Sequence, residues 1–183
     1  MHNLASLFIA VLSLAVLLLS QSVVFANTPL EYDIVVVGAG TGGCAAAIQA
    51  GRMGASVALV EESDWVGGQM TGAAVSTMDD KTFTRTGIYR ELITKATEYY
   101  ASRGQKVNVC YWGSDTIAFE PWVGRTILMN MLKESGKVHL YFKTRAVAAK
   151  VFKNKFSKAV FESGAKKFSI NVGVFINATA CRD

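Results

Sequence analysis

Residues 32–43 read "YDIVVVGAGTGG". The apolar run from Ile34 to Val37 closes directly on Gly38. Its β-branched content predicts a strand. Its lack of alternation predicts burial on both faces, as in a parallel sheet. Gly38, Gly40 and Gly43 then fall in the spacing G-x-G-x-x-G. Each glycine has its own job in a dinucleotide-binding turn. Gly38 permits a tight exit from the strand, Gly40 lets a pyrophosphate approach the backbone, and Gly43 lets a helix pack close to the sheet. The hexapeptide alone is a weak signal, and its context decides its meaning. Here "GGCAAAIQAGRM", Gly42 to Met53, predicts a helix that Gly54 ends, and "SVALVE", Ser56 to Glu61, predicts the next strand. The result is a βαβ unit whose helix N-terminus offers unpaired N–H groups to a phosphate.

The second strand ends in an acid. Glu61 lies 23 positions after Gly38, near the ~20 at which a carboxylate meets a ribose diol. Glu62 stands beside it and joins it as a cofactor-binding candidate. A carboxylate here repels a 2′-phosphate, which disfavours an NADP-type ligand.

Beyond the acid, "WVGGQMTGAAVSTMDD" is a glycine-rich loop. A helix is predicted from Gly87 to Arg103, and another from Pro121 to Gly136, with Val123, Ile127, Leu128 and Met131 forming a core stripe. The remainder predicts the strands "VHLYF", "AVAAKVF", "KAVFES", "KFSINV" and "VFINAT". The middle three are short and alternating, as in an antiparallel meander. The fold class is therefore α/β: a Rossmann-like parallel sheet with a βαβ unit and a three-stranded meander.

The chain has 183 residues, is 51% hydrophobic and carries a net charge of +5. That excludes a disordered or collagen-like chain. Basic residues crowd one segment, Lys143, Arg145, Lys150, Lys153, Lys155, Lys158, Lys166 and Lys167, against Glu162 alone. They alternate with apolar residues and read as the solvated side of a half-buried hairpin, not as a nucleic-acid surface. Residues 1–26 have an apolar run from Leu4 to Leu19 and end in Val24-Phe25-Ala26, the pattern of a secretory signal cleaved after Ala26. The expectation is export to the periplasm or the medium, with membrane attachment only if that segment stays uncleaved. The domain proper is then 27–183. Cys44, Cys110 and Cys181 match no zinc spacing, and Cys44 reads as a small residue packed against the sheet.

The acid-ended strand followed by Gly67-Gly68 in "VGGQMTGA" resembles the FAD-dependent oxidoreductases of the glutathione-reductase-like superfamily. "TRTGIYREL", "CYWGSDTIAFEPWVG" and the helix leading into strands extend the resemblance, over residues 31 to 180, to a bacterial FAD-dependent oxidoreductase family. It implies FAD as cofactor, with Gly67, Gly68, Gln69 and Thr71 on the cofactor side and a backbone contact to adenine near Ala146. It also implies that the last strand ends in Ala-Thr-Gly, where this chain has Ala178-Thr179-Ala180, and that a substrate domain follows. Here "CRD" closes the sequence, so the domain reads as truncated, with the substrate domain absent. Asn177-Ala178-Thr179 is also a glycosylation sequon, read as chance because a buried strand end is a poor acceptor.

The implied activity is hydride transfer between an unknown small molecule and the flavin. Two alternatives remain at this point. An NAD-binding dehydrogenase accounts for the βαβ unit but not for the Gly-Gly loop or meander. An inactive, truncated and exported fragment accounts for the missing remainder. No Ser-His-Asp, metal or paired-carboxylate pattern is visible, and no catalytic acid or base is identified. Asp79, Asp80, Arg85 and Tyr89 are the polar groups within reach of a substrate, with loop or helix-cap roles as the favoured reading, and His139 reads as structural.

Overall fold

The computed structural model describes residues 30–80, 85–107 and 116–180. The signal segment expected at 1–26, Cys110 and Cys181 lie outside the described residues. Strand β1 (Leu30–Val37) runs into helix α1 (Thr41–Arg52), which returns to β2 (Val57–Val60). These are the elements the glycine spacing predicts: the helix and β2 have their ends moved by one residue, and β1 starts four residues before Ile34. A 3-10 turn (Gly68–Met70), β3 (Thr77–Met78), α2 (Gly87–Ala101), β4 (Ile117–Ala118) and α3 (Pro121–Glu134) follow. Four strands complete the chain: β5 (Val138–Tyr141), β6 (Arg145–Phe152), β7 (Lys155–Ser163) and β8 (Lys166–Asn177).

The main sheet has the order β5-β2-β1-β8-β7-β6. β5, β2, β1 and β8 are mutually parallel, whereas β8-β7 and β7-β6 are antiparallel. β3 and β4 form a separate antiparallel pair. The apolar run of β1 is explained by two cores, one on each face of the sheet. Val36 packs on the helix side with Leu59, Ile48 of α1 and Val123, Leu128 and Met131 of α3. Val35 and Val37 pack on the other side with Val60, Phe161, Ile170 and Val172. Every such valine is a buried side chain contributing roughly 1.5–3 kcal/mol, so neither face tolerates a polar residue. Arg52 at the end of α1 forms a two-pronged pair with Glu91 of α2, at 2.8 and 2.9 Å, and ties the two helices together.

Two sequence expectations change. "KFSINV" and "VFINAT" are not separate strands. β8 is continuous through Gly173, using its first half against β7 and residues 170–177 against β1. Gly173 marks a close approach, since a methyl group there would lie 3.0 Å from Asp33 O. The basic hairpin is half-buried only through β7, where Ala159 and Phe161 are fully buried. Every residue of β6 is exposed, apolar ones included, because β6 is the edge strand and nothing among the described residues covers it.

Candidate functional site

The strand order places a topological switch beside β1. The chain leaves β1 toward β2 on one side, and β8 returns on the other. In an open α/β sheet the crevice at the carboxyl ends of such strands is where ligands bind. A cleft of about 290 Å³ opens at that place. Its walls are the ends of β1 and β2, the turn at Gly38 and Gly40, Glu61 and Glu62, Gly68, and Ala178 to Ala180 after β8. A larger cleft of about 550 Å³ lies at Tyr100, Lys106 and Phe119. Its lining contains none of the sequence candidates.

The three glycines of the turn separate by what surrounds them. A methyl group at Gly38 would stand 2.7 Å from Ala178 O, and the residue has φ +96°. One at Gly43 would stand 1.8 Å from Gly38 O. Folding alone therefore demands glycine at both positions. A methyl group at Gly40 would meet nothing within 4 Å. Gly40 is also the N-cap of α1, in extended backbone, with no side chain capping the helix. Space and open N–H groups thus coincide at the residue where a phosphate would approach, which is what a dinucleotide requires.

Glu61 is held before any ligand arrives. Its Oε2 accepts the Ala39 N–H at 2.7 Å, and its Oε1 accepts the N–H and Oγ–H of Ser63 at 2.9 and 2.8 Å. A carboxylate has about four acceptor positions, so Oε2 keeps capacity for a hydroxyl donor. The backbone of Glu61 is fixed as well: its N–H donates to Tyr141 O, and its carbonyl accepts from Thr144 N.

The Gly-Gly loop is stitched onto the same turn. Gly67 N–H donates to Ala39 O at 2.7 Å, and a methyl group at Gly68 would lie 3.0 Å from Gly40 Cα. Gly67 adopts φ +98° and lies so close to Thr71 and Leu128 that a Cβ would clash with both. Of the loop candidates only Gly68 lines the cleft. Thr71 is turned inward, 1% exposed, with its hydroxyl donating to Val66 O. Gln69 is exposed, and its carbonyl accepts Val75 N–H. Ala146 is exposed on the outer edge strand and lies outside the cleft lining. The segment just before it does reach the site, since Lys143 N–H donates to Ser63 O and Thr144 N–H to Glu61 O.

Sequence reasoning missed Ala39, Ser63 and Thr144, which position Glu61. A serine two residues after a strand-end acid was the one readable signal. The others act through backbone N–H groups that every sequence carries.

Cys44 is fully buried, donates to Ala39 O at 3.2 Å, and has its thiol pushed up to about 12 by burial, so it packs and does not react. Asp80 accepts Arg85 Nε and Nη2 at 2.6 and 3.1 Å. The hydrogen bond from Arg85 holds the Asp80 carboxyl below its usual range, while burial and the nearby Asp80 charge push Tyr89 up to about 12. These three form one cluster. His139 Nδ1 lies 2.7 Å from the Tyr32 hydroxyl, which also bonds Tyr141. Asn177 is exposed, which removes the burial argument against the sequon, and its Oδ1 accepts both the N–H and hydroxyl of Thr179. Among the described residues no cluster of His, Cys, Asp and Glu could hold a metal, and no helix is long and apolar enough to cross a membrane.

Comparison with known proteins points the same way. Residues 33–183 match the profile of the family described as FAD dependent oxidoreductase. A soluble pyridine nucleotide transhydrogenase of Mycobacterium bovis is 39% identical over 72 residues, covering 39% of this chain and 15% of that protein. The matched stretch is thus a small part of the relative's length. Among solved structures, Thermovibrio ammonificans THI4 superposes with a TM-score of 0.56 at 16% identity, over 93% of this chain and 65% of that one. A geranylgeranyl bacteriochlorophyll reductase-like protein of Thermoplasma acidophilum gives 0.59 at 18% identity, over 81% and 39%. The flavin-dependent monooxygenase PieE, solved with FAD and substrate, gives 0.59 at 17%, over 85% and 31%. At these identities the likeness is one of fold.

Proposed function

Since the chain belongs to the FAD dependent oxidoreductase family, and FAD is its cofactor, we propose that the cleft between β1 and β8 holds the adenosine and pyrophosphate part of that cofactor. The observation that carries this reading is Gly40: no neighbour in the fold needs a glycine there, whereas a bound pyrophosphate does. The first turn of α1 contains no acid to oppose a negative ligand. Its N–H groups and the positive end of the helix face the phosphates. Glu61 Oε2 takes a ribose hydroxyl, and Glu62, on the cleft wall beside it, adds negative charge that discourages a 2′-phosphate. Gly68 lets the second loop lie against the first without a side chain between them.

FAD, when bound, supplies hydride acceptance or donation at its ring. The reading for the whole enzyme is hydride transfer between a small-molecule substrate and the flavin, with this chain providing the nucleotide-binding part. Residues 1–26 direct its export. Recovery of the protein solely from the cytoplasm, with that segment intact, would reject the export reading.

The test is titration of the purified chain with FAD and, separately, with NADH, followed by calorimetry. FAD should bind more tightly than NADH. Gly40→Val should abolish FAD binding at a stability cost of only about 1 kcal/mol, the loss of glycine at the helix N-cap. Tighter binding of NADH, or undiminished FAD binding by Gly40→Val, would overturn the proposal.

A further inference from the structure

The β6–β7 hairpin carries a surface that the cofactor cleft does not use. Its turn is Lys153-Asn154, with φ of 47° and 59°, the left-handed pair that a tight two-residue hairpin requires. Beside the turn Val151 is 59% exposed, Phe152 67% and Phe156 42%. Val151 and Phe156 face each other across the two strands, and Phe156 stacks on Phe175 of β8 with ring centroids 5.1 Å apart. That stack anchors the tip to the body of the sheet.

The charge around this apolar tip has one sign. Between Arg145 and Phe161 the sequence contains Lys150, Lys153, Lys155 and Lys158 and no acid. At the base of the hairpin Glu162 pairs with Arg145 and Lys167, at 3.4 and 3.9 Å. Lys150, Lys153 and Lys158 form no ion pair among the described residues. Lys150 and Lys158 are moreover direct cross-strand partners. Like charges in that position destabilise a hairpin. No acid in the hairpin tip offsets them, so the compensating anion is external.

Exposed aliphatic and aromatic side chains ringed by unpaired lysines match an anionic bilayer. The apolar groups enter the acyl boundary and the ammonium groups meet the headgroups. A single-stranded nucleic acid uses a basic groove with aromatic platforms. Here the exposed apolar groups include the aliphatic Val147 and Val151 of β6, which offer no face for a base to stack on. We propose that the β6–β7 tip docks this protein on an anionic lipid surface. β7 runs antiparallel to β8 with Lys158 beside Asn171, so the turn points the same way as Asn177 at the end of β8. Docking therefore turns the cofactor end of the sheet toward the bilayer.

The test uses the full chain and phosphatidylcholine vesicles containing about one-third phosphatidylserine. Hydrogen exchange should show added protection at residues 147–158 on these vesicles and none on pure phosphatidylcholine. In a sedimentation assay the triple variant Lys150→Gln, Lys153→Gln, Lys158→Gln should lose binding on the order of a hundredfold. Phe152→Ser should lose it on the order of tenfold. Residues 1–26 are common to every protein compared, so the differences report the tip. An unchanged FAD titration certifies that each variant is folded. Absence of tip protection, equal tip protection on neutral vesicles, variants that bind as the parent does, or tighter binding to single-stranded DNA than to anionic vesicles would each overturn the proposal.

Discussion

The cofactor cleft and the β6–β7 hairpin are built on opposite principles. At the cleft nearly every polar group already has an internal partner: Glu61 accepts from Ala39 and Ser63, and Gly67 donates back to Ala39. Gly38 and Gly43 have no room for even one more carbon. At the hairpin three lysines lack acids, two of them face each other, and Phe152 is two-thirds exposed. The first region is shaped by the fold itself, and its turn leaves room for an added carbon only at Gly40 and Gly42. The second spends stability locally in a way that the fold does not require. Substitutions should therefore hurt stability in the first region and spare or raise it in the second.

The sharpest way to break this contrast lies inside the glycine turn. Gly43→Ala puts a methyl group 1.8 Å from Gly38 O in the buried contact between α1 and β1. The expected cost is about 3 kcal/mol or more, read as a lower urea midpoint. Gly40→Ala, three positions away, should cost only about 1 kcal/mol, the difference between glycine and alanine at a helix N-cap. Its FAD affinity should nevertheless fall on the order of tenfold or more. If the two variants lost stability equally, the division of labour among the glycines would be wrong.

Glu61→Gln comes next. Glutamine keeps the size but has only one acceptor oxygen, so either Ala39 N–H or the Ser63 pair is left opposite an NH2 group. A loss of about 1–3 kcal/mol is expected, together with weaker FAD binding. Ser63→Ala should give a smaller loss in the same direction, and a Ser63→Ala that left both quantities intact would show that Glu61 needs no prior positioning.

The same residues show what a sequence can reveal. Gly38, Gly40, Gly43 and Glu61 were legible because a βαβ unit fixes its phosphate turn and its acid at set distances along one continuous segment. What lay across the chain was not legible. Thr71 turned out to be the loop's own internal clasp, because its hydroxyl finds Val66 O, a partner fixed only by the path of the folded loop. Ala146 sits on an edge strand away from the cleft, while its neighbours Lys143 and Thr144 touch the acid loop through backbone. Gly173 lies between "KFSINV" and "VFINAT", the two strands that the sequence suggests. Here it allows β8 to pass Asp33 closely and to serve two partners of opposite direction. The β1–β8 pairing, which closes the cleft, joins segments more than a hundred residues apart and has no local signature.

Asp80 offers a milder test outside both regions. Its carboxyl is held below the usual range, chiefly by the hydrogen bond from Arg85. A carboxyl with a depressed folded-state pKa contributes stability above its unfolded pKa, near 3.9, and loses that contribution as pH falls through the folded value. Stability should therefore drop below about pH 4 in the parent. In Arg85→Gln that part of the drop should vanish, because the two pKa values then move together. Urea midpoints between neutral and acid pH provide the readout, and an unaltered acid slope in the variant would show that the pair contributes nothing to folding.

The smallest effect has the most telling sign. Lys158→Glu turns a like-charged cross-strand pair with Lys150 into an opposite-charged one. On an antiparallel ladder that exchange stabilises by roughly 0.2–1 kcal/mol. Lys150 is exposed and Lys158 half-buried, and neither forms an ion pair among the described residues. The variant should unfold at higher urea and bind FAD as the parent does. A substitution that improves the fold and leaves the cofactor site untouched identifies a position where the natural residue answers to something other than folding. If Lys158→Glu were instead destabilising, the lysines would be meeting an internal partner, and the contrast between a self-satisfied cleft and an outward-facing hairpin would fail at its second term.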